Sequence, residues 1–175
     1  MRYLALLRGI NVGGRNAVAM ADLRAAFEEA GHAAVRTYIQ SGNVLFEAGG
    51  RVGEDAVEAV LERRFGIPLV VVLRTERQLR AVVAGAPDGF GQRPDEFHSD
   101  VVFLKAPLTS PQAMRVLERR DGVDSAWPGR GVVYFQRLSA RRTASRMGRV
   151  VARPEYQRMT IRSWRTTTKL LDLLD

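Results

Sequence analysis

Residues 35–47, VRTYIQSGNVLFE, decide the fold. Val35–Gln40 and Val44–Glu47 are short runs rich in β-branched and aromatic residues. Ser41-Gly42-Asn43 between them is turn chemistry: glycine takes positive φ at no steric cost, and asparagine tolerates it. The stretch reads as a β-hairpin. On its N-terminal side lie a strand, Tyr3–Leu7, a long loop from Arg8 to Ala19, and a helix from about Met20 to Ala30. That helix sets Leu23, Ala26, Phe27 and Ala30 on one face, and Gly31 sits where a left-handed cap belongs. On the C-terminal side, Glu54–Phe65 presents Val57, Val60, Leu61 and Phe65 at helical spacing, with Gly66 behind it. Leu69–Leu73 is a continuous apolar run bounded by Pro68 and Arg74, as expected of a buried strand. Thr75 is placed to cap a third helix, about Glu76–Ala84. The order is βαββαβ, that of a ferredoxin-like plait.

The order then restarts. Val101–Leu104 reads as a strand. Ser110-Pro111 reads as a cap with proline at the first helical position, opening a helix that carries Met114, Val116 and Leu117 and ends near Gly122. Val123–Trp127 and Val132–Gln136 flank the hairpin signal Pro128-Gly129-Arg130-Gly131. A last helix from about Thr167 holds Leu170, Leu171 and Leu174. No residue-level repeat accompanies this, so the duplication rests on element order. The expected architecture is α+β: two ferredoxin-like (α-β plait) subdomains in tandem, antiparallel sheets with helices on one face. An N-terminal subdomain spans 1–85. A glycine- and proline-rich linker spans 86–99. A C-terminal subdomain with a basic segment and the terminal helix spans 100–175.

Composition narrows the function. The chain has 175 residues, 46% of them hydrophobic, enough for a buried core. Without cysteine there is no disulfide, thiolate nucleophile or Cys-ligated metal. No apolar run approaches membrane-spanning length, and no signal peptide opens the chain, which fits a cytoplasmic protein. The net charge of +8 is regional. Residues 1–114 balance thirteen Lys/Arg against thirteen Asp/Glu, whereas residues 115–169 hold fourteen against four. No acid lies between 125 and 154. A high overall arginine usage (25 Arg, 2 Lys) explains the bias towards base, but not that gap.

Several familiar sites are absent. Gly13-Gly14-Arg15-Asn16 is neither a P-loop nor a dinucleotide fingerprint. There is no G-x-S-x-G elbow. The two histidines, His32 and His98, fall in loop positions, and no metal or cofactor is implied. Four stretches remain. Arg8 to Arg15 brackets Gly9, Gly13 and Gly14 with Asn11, which reads either as an anion nest or as a strand-to-helix loop that needs positive φ. The hairpin carries Gln40 and Asn43, either as neutral hydrogen-bonding groups for a ligand or as plain turn residues. Residues 137–149 hold five arginines, among them Arg141, Arg142 and Arg146, with phosphate-compatible hydroxyls. Met159–Leu170 places Arg162, Trp164 and Lys169 around a helix start, where free N–H groups favour an anion. Trp164 reads either as a stacking platform or as a core residue. The RNP1 pattern of an RNA-recognition module is missing.

LLRGINVGG, RTYIQSGNVLF and MTIRSWRTTTKL together resemble the signatures of the bacterial "domain of unknown function 1697" family. The third departs from the usual pattern: Ser163 stands where the family has Asn. The resemblance implies a pair of α-β plait subdomains and no established activity. The leading expectation is a module that binds a phosphate-bearing partner, nucleic acid first, through the basic C-terminal half. One rival is an enzyme acting on a phosphorylated small molecule, in which Arg8, Asn11, Gln40, Asn43 and Arg162 would line one pocket. Another is a self-associating interaction protein.

Overall fold

The computed structural model describes residues 1–175. The elements are β1 (Arg2–Leu7), α1 (Met20–Glu29), β2 (Ala33–Tyr38), β3 (Asn43–Glu47), α2 (Glu54–Phe65), β4 (Val71–Thr75), α3 (Glu76–Ala84), β5 (Phe97–Leu104), α4 (Ser110–Val116), β6 (Asp124–Gly129), β7 (Val132–Leu138), β8 (Met159–Ser163) and α5 (Trp164–Leu174). Three 3-10 helices, Ser139–Ala144, Met147–Ala152 and Pro154–Arg158, join β7 to β8. The chain forms two compact units, Met1–Arg80 with Leu170–Asp175, and Ala81–Lys169.

In the first unit the sheet order is β2-β3-β1-β4, all antiparallel. Strand period two puts Tyr3, Ala5 and Leu7 on one face with Val44, Phe46, Val71 and Leu73. Leu23, Ala26 and Phe27 of α1 and Val57 and Leu61 of α2 close over that face. Each fully buried Leu or Phe contributes about 1.5–3 kcal/mol. The outer edge of β4 is blunted: Val71 N–H donates to Glu58 Oε1 at 2.8 Å and Leu73 N–H to Glu54 Oε1 at 2.9 Å. The α2 carboxylates thus use up donors that an edge strand offers to other chains. Thr75 caps α3 as expected: Gln78 N–H donates to its Oγ1 at 3.2 Å, and Thr75 N–H donates back to Gln78 Oε1 at 2.9 Å.

The second unit repeats the order as β6-β7-β5-β8, again antiparallel. Together the two sheets give the tandem α+β plait architecture that element order implies. Val102, Leu104, Val133, Phe135 and Met159 pack against Ala113, Val116 and Leu117, and against Met147 and Val150 of the second 3-10 helix. The 3-10 helices stand where the second crossover helix of a plait would be. Residues 139–158 lack a continuous apolar stripe at helical spacing, and Pro154 and Gly148 interrupt them. Pro128 lies in β6, an edge strand, where a missing N–H does no harm.

Three local readings shift. The α4 cap is Thr109, one residue before Ser110, in a reciprocal box with Gln112. Ser110 instead spends its hydroxyl on the carbonyls of Gly129 and Val132. The terminal helix starts at Trp164 rather than near Thr167, and β8 precedes it. Within the segment read as a linker, Phe97–Ser99 already belong to β5. Phe90 is buried, edge-on to Trp127, Tyr134 and Trp164 with ring centroids 6.1, 5.5 and 5.2 Å away.

Gly91 next to it has φ +74°, and an added Cβ would lie 2.0 Å from Trp164 Cδ1. Gly89, at φ +79°, has nothing within 4 Å. Gly89→Ala is therefore expected to cost about 1–2 kcal/mol from backbone strain alone. Gly91→Ala adds a further ~1–3 kcal/mol of overpacking. Parallel urea titrations of the two variants measure the difference.

Candidate functional site

The glycine loop is a run of left-handed residues. Gly9, Asn11, Gly13, Gly14 and Asn16 have φ of 68, 53, 57, 73 and 50°. Glycine and asparagine are the residues that adopt this conformation most readily, which explains the composition. The loop closes on itself through Arg15 N–H to Val12 O (3.0 Å) and Asn11 N–H to Asn16 O (3.2 Å). Asn11 joins it to the hairpin. Its Nδ2 donates to Val18 O at 2.9 Å and Gln40 O at 3.0 Å, and its Oδ1 accepts from Val18 N–H at 2.8 Å. Most of that amide's hydrogen-bonding capacity is spent on backbone. Leu7 N–H donates to Gly42 O at 2.8 Å. A Cβ on Gly42 would meet Ile10 Cδ1 at 2.7 Å, so only glycine lets the turn approach. Asn43 is buried, its Nδ2 donating to Tyr38 O at 2.8 Å and Ser41 Oγ at 3.0 Å. The first two signature stretches are therefore one construction. Its solvent-facing parts include Gly13, Gly14, Arg15 and the Gln40 side chain, together with the apolar side chains of Val12 and Ile39, and Arg8 is half-buried.

In the second unit Arg162 lies on β8, paired with Val101. It is buried, and Nη1 donates to Thr160 Oγ1 and Ile161 O, each at 2.9 Å. Burial lowers its pKa to about 10, leaving it charged at neutral pH. Ser163 caps α5, its Oγ accepting from Thr166 N–H at 3.2 Å. As a helix cap serine is about as effective as asparagine. Trp164 is half-buried against Gly91 and Phe90. Lys169 is exposed on α5.

Arg141 and Arg142 are exposed on the first 3-10 helix. Arg146 is half-buried, and its backbone N–H donates to Asp124 Oδ2 at 2.9 Å. The same oxygen accepts from Arg120 N–H at 2.9 Å. Nearby on β5, His98 Nε2 lies 3.1 Å from Asp100 Oδ1. Burial pushes the Asp100 carboxyl above its ordinary range, and the charges of His98 and Arg137 pull it partly back. A cavity of about 590 Å³ opens in this unit, walled by Arg115, Arg153, Arg158, Gln112, Glu155 and Leu108 among others. Its charged residues escape a sequence reading because α4 supplies Arg115 while the 3-10 segment supplies the rest. In the sequence, the excess of base over residues 115–169 is the signal that spans them.

A family model described as "Protein of unknown function (DUF1697)" matches residues 1–134. A solved structure, that of conserved bacterial protein SP0830 from Streptococcus pneumoniae, is similar over 99% of this chain and 98% of that chain. Its TM-score is 0.80, at 27% identity. No curated protein matches. No helix is long and apolar enough to cross a membrane.

Two substitutions test the local physics. Asn11→Asp keeps the acceptor for Val18 N–H but turns a carboxylate oxygen towards two carbonyls. It is expected to cost about 1–3 kcal/mol at neutral pH, seen as a lower unfolding midpoint. Asp100 works through linkage. A carboxyl whose folded-state pKa is raised binds its proton more tightly in the native state, so stability falls as pH rises from the unfolded value towards the folded one. Asp100→Asn removes that loss. Its stability relative to the parent is expected to improve as pH rises above the ordinary carboxylate pKa of about 3.9, read in chemical-denaturation curves at a series of pH values.

Proposed function

The chain belongs to the DUF1697 family of proteins of unknown function, and from that premise we propose that it binds a phosphate-bearing partner, nucleic acid first, through the arginine-rich face of its second unit. The observation that carries this reading is the state of Arg141 and Arg142. Both are exposed on the first 3-10 helix and neither has a carboxylate partner. Along the same segment Arg149 pairs with Glu118 at 2.8 Å, while Arg153 has Glu155 only at 4.0 Å. Exposed guanidinium groups without intramolecular acids recruit anionic partners, and their planar forks match phosphate oxygens.

The 3-10 helices favour this use of the side chains. Met147 and Val150 point into the core, so the rest of the segment is held while its arginines extend outward. On α5 Arg165 and Lys169 add exposed cations. In the first unit, Arg15 and the exposed Gly13-Gly14 tip are proposed as a separate, weaker phosphate contact. The roles proposed for the Asn11, Asn43 and Arg162 side chains are positional: they hold the loop, the turn and β8 in place, while Arg8 and Gln40 contribute backbone bonds, Arg8 N–H to Val70 O and Gln40 O from Asn11 Nδ2.

Fluorescence anisotropy with labelled single- and double-stranded oligonucleotides tests the reading. Binding is expected at low salt, with log K falling linearly against log salt. Arg141→Ala/Arg142→Ala should lower the slope by roughly 2, about one unit for each lost phosphate contact, without sequence preference. No binding at low salt to either form contradicts it.

A further inference from the structure

The cavity of about 590 Å³ in the second unit does more than extend the basic face. Its size is that of a small-molecule site. Arg115 comes from α4, and Arg153 and Arg158 come from the third 3-10 helix and the residue before it. Arg158 is fixed by donating Nη1 to Ala106 O at 2.9 Å. Arg115 is exposed, and its side chain has no hydrogen-bond or ion-pair partner. Leu108, Val116 and Pro154 supply apolar wall.

The informative group is Glu155. Its side chain lines the cavity and is 33% exposed, with Arg153 Nε 4.0 Å from Oε2. A carboxylate in a cavity wall accepts from a ligand's donors. A bare anion would meet the three arginines but also face that carboxylate. A ligand carrying both an anionic group and a hydrogen-bond donor answers both features, and the apolar wall suits the face of a ring. We propose that this cavity binds a phosphate monoester of a hydroxylated, ring-bearing molecule of the nucleotide class. Arg115, Arg153 and Arg158 take the phosphate, and Glu155 accepts from a sugar hydroxyl or an amino group. The same chemistry occurs in a free mononucleotide and at the phosphorylated end of a strand. The second source rests on the nucleic-acid reading given above, and the first does not.

The test uses the full chain and four probes: adenosine 5′-monophosphate, adenosine, a short single strand with a 5′-phosphate, and the same strand with a 5′-hydroxyl. Affinities are measured for the parent and for Arg115→Ala/Arg153→Ala, with circular dichroism confirming the fold. Should the double variant unfold, Arg115→Gln replaces it. The parent is expected to bind the monophosphate and not adenosine, and the variant to lose at least tenfold. If the end-phosphorylated strand binds better than its hydroxyl twin, and only the parent shows that gain, the strand end is the source. Monophosphate binding with no strand binding keeps the cavity assignment and overturns the nucleic-acid reading. Strands that bind equally with either end, alongside no monophosphate binding, overturn the cavity assignment alone. Monophosphate binding that the variant leaves unchanged also overturns it. No binding by any probe overturns both.

Discussion

A single buried carboxylate organises the second unit. Asp124 Oδ2 accepts the backbone N–H of Arg120 and of Arg146, both at 2.9 Å. One bond ties the turn after α4 to the start of β6. The other fixes the entry to the second 3-10 helix. A buried carboxylate oxygen without donors is costly, and these two backbone N–H groups supply them to Oδ2. With that entry fixed, Met147 and Val150 reach the core and Ser139–Arg158 covers the sheet in place of a crossover helix. The arginines on either side of the core residues then face outward.

The first unit solves a different problem with neutral groups. Its long β1–α1 loop has five residues in the left-handed region, and of its side chains Ile10 and Val18 reach the core. Asn11 holds it by bonding Val18 and the hairpin carbonyl of Gln40, and Gly42 lets the turn close on Ile10 and Leu7. Two sequence signatures that looked like separate ligand motifs thus support each other structurally. What they leave at the surface is mixed: Arg15 and the Gly13-Gly14 tip, together with the exposed apolar side chains of Val12 and Ile39.

Much of the fold was legible because its signals are local. The hairpin, α2 from Glu54 to Phe65 and the βαββαβ order follow from period and turn chemistry. What stayed hidden has physical reasons. β8 alternates Met159 and Ile161 with Thr160 and Arg162, and a buried arginine disguises a strand as a polar stretch. Ile39 sits at φ +51°, a conformation β-branched residues avoid, so the turn outran its Ser-Gly-Asn signal. Thr109 and Ser110 are both hydroxyl residues, and composition does not say which one caps. The cavity residues Arg115 and Arg158 are far apart in sequence, and only the packing of α4 beside the 3-10 segment brings them together. Of the candidate site, the charge imbalance was readable, whereas the division of arginines into buried, paired and exposed was not.

The central claim is that exposed, acid-free arginines on Ser139–Arg158 take phosphate. Arginine side-chain Nε–Hε resonances report on it directly. In a nitrogen-15 spectrum titrated with a short single-stranded oligonucleotide, the account predicts shifts concentrated on Arg141 and Arg142, with the Asp124-bonded amides of Arg120 and Arg146 unmoved. Shifts confined to the first unit, or none at saturating ligand, would contradict it.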